Sequence, residues 1–516
     1  MALNPTDEIR SAPTTKLGIL RNIGPGMILA GSIVGSGELI ATTRTGAEAG
    51  FDFLWLIILG CIIKVFTQIE LGRHTISSGK TSLAALNEVP GPRILNGNWI
   101  IWYWFLLFIA IVAQQGGIVG GVGQAMSISL PLTEEGRKYN EYVQTKVQLE
   151  VAQAELKNQA ETDAGRLAKL NEQVTELMAK AQTAEQTGLD MDENYSKDDK
   201  YWAGILTLIA IVLLVWGNFN FIERFCIFMV VTFTLVTIVN LFALQTHDAW
   251  AVSVSDIARG LSFRIPEPTA ELKPLMTALA TFGIIGVGGA ELITYPYWCL
   301  EKGYGKWIGP RDGSDSWFAR AKGWLRVMQW DAWGAMIVYT FCTIAFYLLG
   351  AAVLGRSGLL PEKSELIQTL SAMYEPVFGT AAQGIFLFGA FAVLFSTFFM
   401  ALAAQSRLAA DAVNVLGLAK LNEAQKKKVV KGLGVALPAI AVTIYAFFPA
   451  PIWLILTAGT MQAILLPMLG FSVLYFRYKK SDPRLRAGKV WDAMLWLSFL
   501  AFLVIGVHLV YTKLFI

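Results

Sequence analysis

Runs of about twenty apolar residues recur along this chain, each long enough to cross roughly 30 Å of hydrocarbon. Nothing else in the sequence restricts the fold so strongly. A chain in a bilayer must satisfy its backbone polar groups internally, which leaves helices or a closed barrel. Runs of this length point to helices. We place eleven spans, at about 18–47, 52–72, 99–130, 201–217, 221–244, 272–300, 328–354, 378–411, 431–449, 451–476 and 490–512. Only 16% of the 516 residues are charged, against roughly 25% in soluble domains. The residues before Lys16 form a polar tail with no cleavable leader pattern.

Two spans are interrupted in the same way. Span one carries Gly35-Ser36-Gly37-Glu38-Leu39-Ile40, and span six carries Gly288-Gly289-Ala290-Glu291-Leu292-Ile293. A carboxylate at membrane depth costs several kcal/mol unless it is paired or lines a wet cavity. Glycine-broken helices at matching points of two halves mark a transporter's substrate site. Breaks in the first and sixth of eleven spans imply two five-span halves, related by an inverted repeat, plus one extra helix.

Charge orients the chain. With a cytoplasmic N-terminus, the loops at 301–326, 405–431 and 477–489 are all inside, and they hold the densest basic clusters, as the positive-inside rule requires. This is a multi-pass protein of a bacterial inner or plasma membrane. Three regions follow: residues 1–130 with the tail and spans one to three, a polar insertion at 131–200, and residues 201–516 with spans four to eleven. The insertion has 9 Lys and Arg against 15 Asp and Glu. Val143, Val147, Val151 and Ala154 recur at helical spacing, as do Leu167, Leu170, Val174 and Leu177. A turn at Glu161–Gly165 makes this an acidic coiled-coil hairpin on the non-cytoplasmic side. It is either a solvated appendage or a docking point for a protein partner.

Several classes are excluded. Cys61, Cys226, Cys299 and Cys342 are scattered through apolar segments and read as packing. Three histidines, His74, His247 and His508, are too few for a His-rich metal site. Neither a nucleophile–base pairing nor a nucleotide loop is visible, so no enzyme, cofactor or nucleic-acid partner is expected.

Gly24-Pro25-Gly26 opens span one and Gly46-Ala47-Glu48-Ala49-Gly50-Phe51 closes it; Arg73, Ile76 and Gly79-Lys80 end span two. Span eight holds Ser396-Thr397 and Leu402-Ala403-Ala404-Gln405, span ten holds Leu466-Pro467, and Asp331 stands at the start of span seven. These motifs and their spacing resemble the Nramp family of divalent-metal transporters in every span, though not in the 131–200 insertion. The resemblance implies an all-α integral membrane fold of the LeuT-type inverted-repeat class, moving a small cation by alternating access. The family's ligands do not carry over. Its first-span D-P-G-N aligns with Gly35, Ser36, Gly37 and Glu38, and its M-P-H-N with Gly288, Gly289, Ala290 and Glu291. Its proton-relay acids align with Gln114 and Gly117.

The substituted positions suggest their own chemistry. Glu38 and Glu291, each just beyond a break, are expected to face one midplane cavity as metal ligands, with carbonyls near Gly35 and Gly288. That all-oxygen set favours Mg or Mn as substrate over metals that want sulfur or imidazole. Loss of the methionine position is expected to widen the pocket for a hydrated ion. The rivals are an organic cation or other small solute held by the same glutamates, glutamates that carry protons, and a non-transporting membrane sensor. Lys64, inside span two, is either a fixed charge replacing a coupling proton, paired with Glu70 or a site glutamate, or a side chain snorkelling to the surface. Gln114, Ser396, Thr397 and Gln405 are candidate pathway residues, and Tyr295 and Tyr297 are candidate inner gates. Gly116-Gly117 and Gly120-Gly121 imply close helix approach.

Overall fold

The computed structural model describes residues 9–158, 164–185, 197–216, 219–268 and 272–515. Among them eleven helices are long and apolar enough to cross a membrane. Span one is Pro25–Ala49, two Leu54–Ser78, three Trp99–Ser129, four Asp198–Trp216, five Ile227–Leu244 and six Pro274–Lys302. Span seven is Asp315–Gly355, eight Ala382–Val415, nine Glu423–Phe447, ten Pro451–Lys480 and eleven Lys489–Lys513. Spans one, two and six are the most enclosed and form the centre of the bundle; spans four, nine and eleven face outward.

Among the boundaries that differ from expectation, those of spans one and seven have a clear local cause. Span one starts at Pro25 because Gly24 and Pro25 end a separate short helix, Lys16–Asn22, capped by Thr15. Span seven starts thirteen residues before the expected 328, at Asp315, where Ser314 accepts a cap bond from the Trp317 N–H. Its first turns look polar, yet Trp317 and Trp324 are buried. The loop expected at 301–326 is therefore largely helical.

The span ends are pinned by polar contacts. Asp331 accepts the Gly24 N–H at 2.8 Å and the Gly26 N–H at 2.6 Å, so a carboxylate satisfies the orphan donors at the start of span one. Tyr295 donates to the same carboxylate at 2.9 Å. Tyr297 and Thr81 both donate to Asp411, at 2.7 and 2.6 Å, and Glu301 pairs with Arg407. These bonds tie the second half of span six to spans seven and eight. Glu70, buried in span two, is bound by Arg73 and Arg477.

The insertion forms two helices, Glu134–Asn158 and Ala164–Glu185. Val143, Val147, Val151, Ala154, Leu170, Val174 and Leu177 are all buried, so the periodic stripes form the hairpin's seam and its contact with the bundle. Of the turn expected at Glu161–Gly165, residues 161–163 lie outside the described residues, and Ala164 and Gly165 open the second helix. The hairpin's base is anchored: Asp198 accepts from the Leu132 and Thr133 N–H groups, and Asn140 is bonded to Ser127 and Gln368. Cys61, Cys299 and Cys342 are buried free thiols. Gly116 and Gly117 lie against the carbonyls of Ala441 and Pro451, the close approach expected of them.

Candidate functional site

The two breaks are built differently. Span six unwinds between its halves, Pro274–Ile284 and Gly289–Lys302. Gly286 turns through the left-handed region at φ +55°, which a side chain would resist. Span one never unwinds. Val34–Thr42 widens into a π-helix, a form common at functional sites. Gly35 is needed there because span eight comes so close. A Cβ on it would stand 2.5 Å from Thr397 Oγ1 and 2.9 Å from the Val393 carbonyl. The Gly35 N–H donates to Thr397 at 3.0 Å, and Ser396 and Thr397 both donate to the Gly31 carbonyl.

These geometries send the two glutamates to different places. Glu291 lines a small enclosed cavity with Ser32, Ser36, Gln114, Gln115, Thr294, Thr397 and Gln405. Its Oε2 has no hydrogen-bond partner, nor do the buried Oε1 atoms of Gln115 and Gln405. Glu38 does not line that cavity. It is fully buried on the other side of the π segment, where its Oε1 accepts from the Gly286 N–H and the Thr343 hydroxyl, both at 3.0 Å. The two glutamates therefore do not share the expected chamber, because Glu38 is turned toward the span-six break.

Nor is the cavity wide. It holds about 20 Å³, room for roughly one water or one bare ion. The small residues at the breaks let helices close in rather than leaving space. A Cβ at Gly288 would stand 2.5 Å from Glu291 Oε2 and 2.8 Å from Gln462 Oε1. Gly35 and Gly288 therefore contribute close packing.

A residue overlooked in the sequence completes the site. Gln462, in span ten, accepts the Ala290 N–H at 3.0 Å and donates to Gln114 Oε1 at 3.2 Å; Gln114 donates to Ser36 at 3.3 Å. This run of amides joins the break of span six to that of span one through spans ten and three. Gln462 is the sole amide side chain in the apolar run 451–476, a signal that was there to be read.

Lys64 is neither at the surface nor paired with Glu70. It is fully buried and donates to the carbonyls of Phe282 and Ile285, the latter at 2.8 Å. Among the described residues no cluster of three His, Cys, Asp or Glu could hold a metal. What the cavity offers an ion is one carboxylate, amide oxygens and hydroxyls.

A family model described as natural resistance-associated macrophage protein-like (Nramp) matches residues 194–512. Curated relatives match over shorter stretches. A metal transporter Nramp6.2 of Populus trichocarpa is 27% identical over 106 residues, 20% of this chain and 18% of that protein. A divalent metal cation transporter MntH of Staphylococcus haemolyticus is 26% identical over 128 residues, 25% of this chain and 27% of that one. The alignments thus span about a fifth to a quarter of the relatives' length. Among solved structures, a variant of the Eremococcus coleocola manganese transporter superposes with a TM-score of 0.61 at 15% identity, covering 97% of this chain and 88% of that one.

Proposed function

Since the chain belongs to the Nramp family, we propose that it moves a small, hard divalent cation, Mg or Mn, across the membrane by alternating access, with Glu291 as its principal ligand. One observation carries the reading: Glu291, Gln115 and Gln405, each with one oxygen left unpartnered, line a single cavity beside both helix breaks. Buried acceptors left without donors cost about 1–3 kcal/mol each, and a cation relieves all three together. An all-oxygen set without thiolate or imidazole suits Mg, Ca or Mn. The names of the relatives point to the same cargo class, since manganese and divalent metal appear in them.

Transport proceeds without the family's proton relay. The relay positions hold Gln114 and Gly117; Gln114 is already engaged with Ser36 and Gln462, and Gly117 packs on the Pro451 carbonyl. The small cavity argues against the organic-cation reading. In proteoliposomes we expect uptake of Mg or Mn, no uptake of polyamines, and no lumenal acidification reported by a trapped pH dye. Polyamine uptake without a divalent signal overturns this function.

A further inference from the structure

The unwound turn of span six is gripped from both sides by buried charge. On the carbonyl side stands Lys64, whose ammonium takes up the Phe282 and Ile285 carbonyls. On the N–H side stands Glu38, which takes the Gly286 N–H. The two charges do not meet as a direct ion pair; the turn lies between them. A fully buried ammonium costs several kcal/mol in lost hydration, so its surroundings must compensate. Here they do. The half-helix Pro274–Ile284 presents its carbonyl end, the negative end of its dipole. The Phe282 ring lies 4.5 Å from the ammonium, a cation–π distance. Carbonyls at the end of a broken half-helix are where transporters of this architecture coordinate free monovalent ions. In this chain that cradle is filled by a side chain.

We propose that Lys64 is a tethered co-ion. Its ammonium, carried on a covalent stem from span two, occupies the carbonyl cradle that a free monovalent cation would have to enter in each cycle. It holds the turn of span six in the shape that Glu38 recognises. The inference rests on the reading of the chain as a cation transporter and adds that no free co-ion is needed. Lys64 is a positioning residue: its ammonium binds backbone and does not line the cavity of Glu291.

The test uses the full chain in proteoliposomes, with Mn²⁺ as the transported probe. Wild-type uptake should be unchanged when Na⁺ and K⁺ are replaced by N-methylglucamine and when the pH gradient is collapsed. Lys64→Ala should lose at least tenfold in N-methylglucamine and recover severalfold in methylammonium, which refills the cradle. Lys64→Arg should show no monovalent-cation requirement at whatever rate it runs. A wild-type requirement for Na⁺ or a proton gradient overturns the inference. So does Lys64→Ala uptake that is undiminished, or that methylammonium does not restore.

Failure of the transport reading looks different, as a wild-type protein that carries neither Mn²⁺ nor Mg²⁺ under any condition. Thermal unfolding of purified Lys64→Ala, or of Lys64→Met should the alanine variant not fold, then decides the matter. Methylammonium should raise the alanine variant's midpoint by a few degrees, and leave wild type and the methionine variant, whose stem fills the cradle, unmoved. A wild-type protein stabilised by methylammonium as strongly as Lys64→Ala, or an alanine variant left unmoved, overturns the proposal. So does a methionine variant as stable as wild type.

Discussion

Span one carries its glycines through a nine-residue π-helical stretch without losing a turn, whereas span six releases the helix between Ile284 and Gly289. Both runs read as three small residues followed by a glutamate. In span one the glycine admits a neighbouring helix, and the glutamate ends up clasping the other break. In span six a left-handed glycine opens the backbone, and the glutamate faces the cavity. Matching sequence therefore produced one cavity-lining carboxylate and one clasp. Which role a carboxylate takes is decided by the backbone that carries it.

That contrast can be broken by experiment. The largest effect is expected from Glu291→Gln, which should cut divalent-cation uptake at least tenfold and abolish the rise in thermal midpoint that Mn²⁺ gives wild type. Glu38→Gln should slow uptake while leaving the Mn²⁺-induced rise in place. Equal loss of that rise in both variants would return Glu38 to the binding site. Next comes Gly35→Val, which forces span one off Thr397 and should cost about 1–3 kcal/mol of stability from overpacking. Part of that loss should return in the double variant with Thr397→Ala, as denaturation of the purified variants would reveal. Gly286→Ala should cost about 1–2 kcal/mol, the strain of a left-handed non-glycine residue, and truncating Thr397 should not relieve it.

The smallest effect lies outside both breaks and calibrates them. Burial beneath the hairpin pushes the Glu375 carboxyl up to about 7, with the Gln148 hydrogen bond opposing. A raised carboxyl contributes stability that is whole below about 4.5 and is lost as pH climbs through about 7. Glu375→Gln should therefore match wild type near pH 4 and exceed it by about 1–2 kcal/mol near pH 8. Any pH-dependent stability that survives in this variant belongs to other groups, the two breaks among them.

The number of spans, the two interruptions and the hairpin stripes were legible in the sequence, because hydrophobic length and helical period are local. The site was legible only in part. Glu291, Gln114, Thr397 and Gln405 do converge. The separation of Glu38 from Glu291 was not readable, since it depends on a π-helical widening imposed by contact with span eight. Lys64 looked like a candidate for snorkelling because its partners are backbone carbonyls two hundred residues away, which leave no trace in side-chain patterns. The polar opening of span seven hid its buried tryptophans behind the charged residues around them. Gln462 was passed over because one amide in an apolar run carries no spacing.

The amide run from Ala290 through Gln462 and Gln114 to Ser36 has a direction, and a single backbone group sets it. The Ala290 N–H is an orphan of the helix start, so it obliges Gln462 to turn its oxygen that way. The Gln462 nitrogen then faces Gln114, and the Gln114 nitrogen faces Ser36. Rewinding span six would give the Ala290 N–H a carbonyl of its own chain and free both amides to rotate by half a turn. Oxygens would then stand where nitrogens stood, with hardly any change of shape. The open start of the second half of span six thus fixes the orientation of amides in spans ten and three, as far as a hydroxyl in span one.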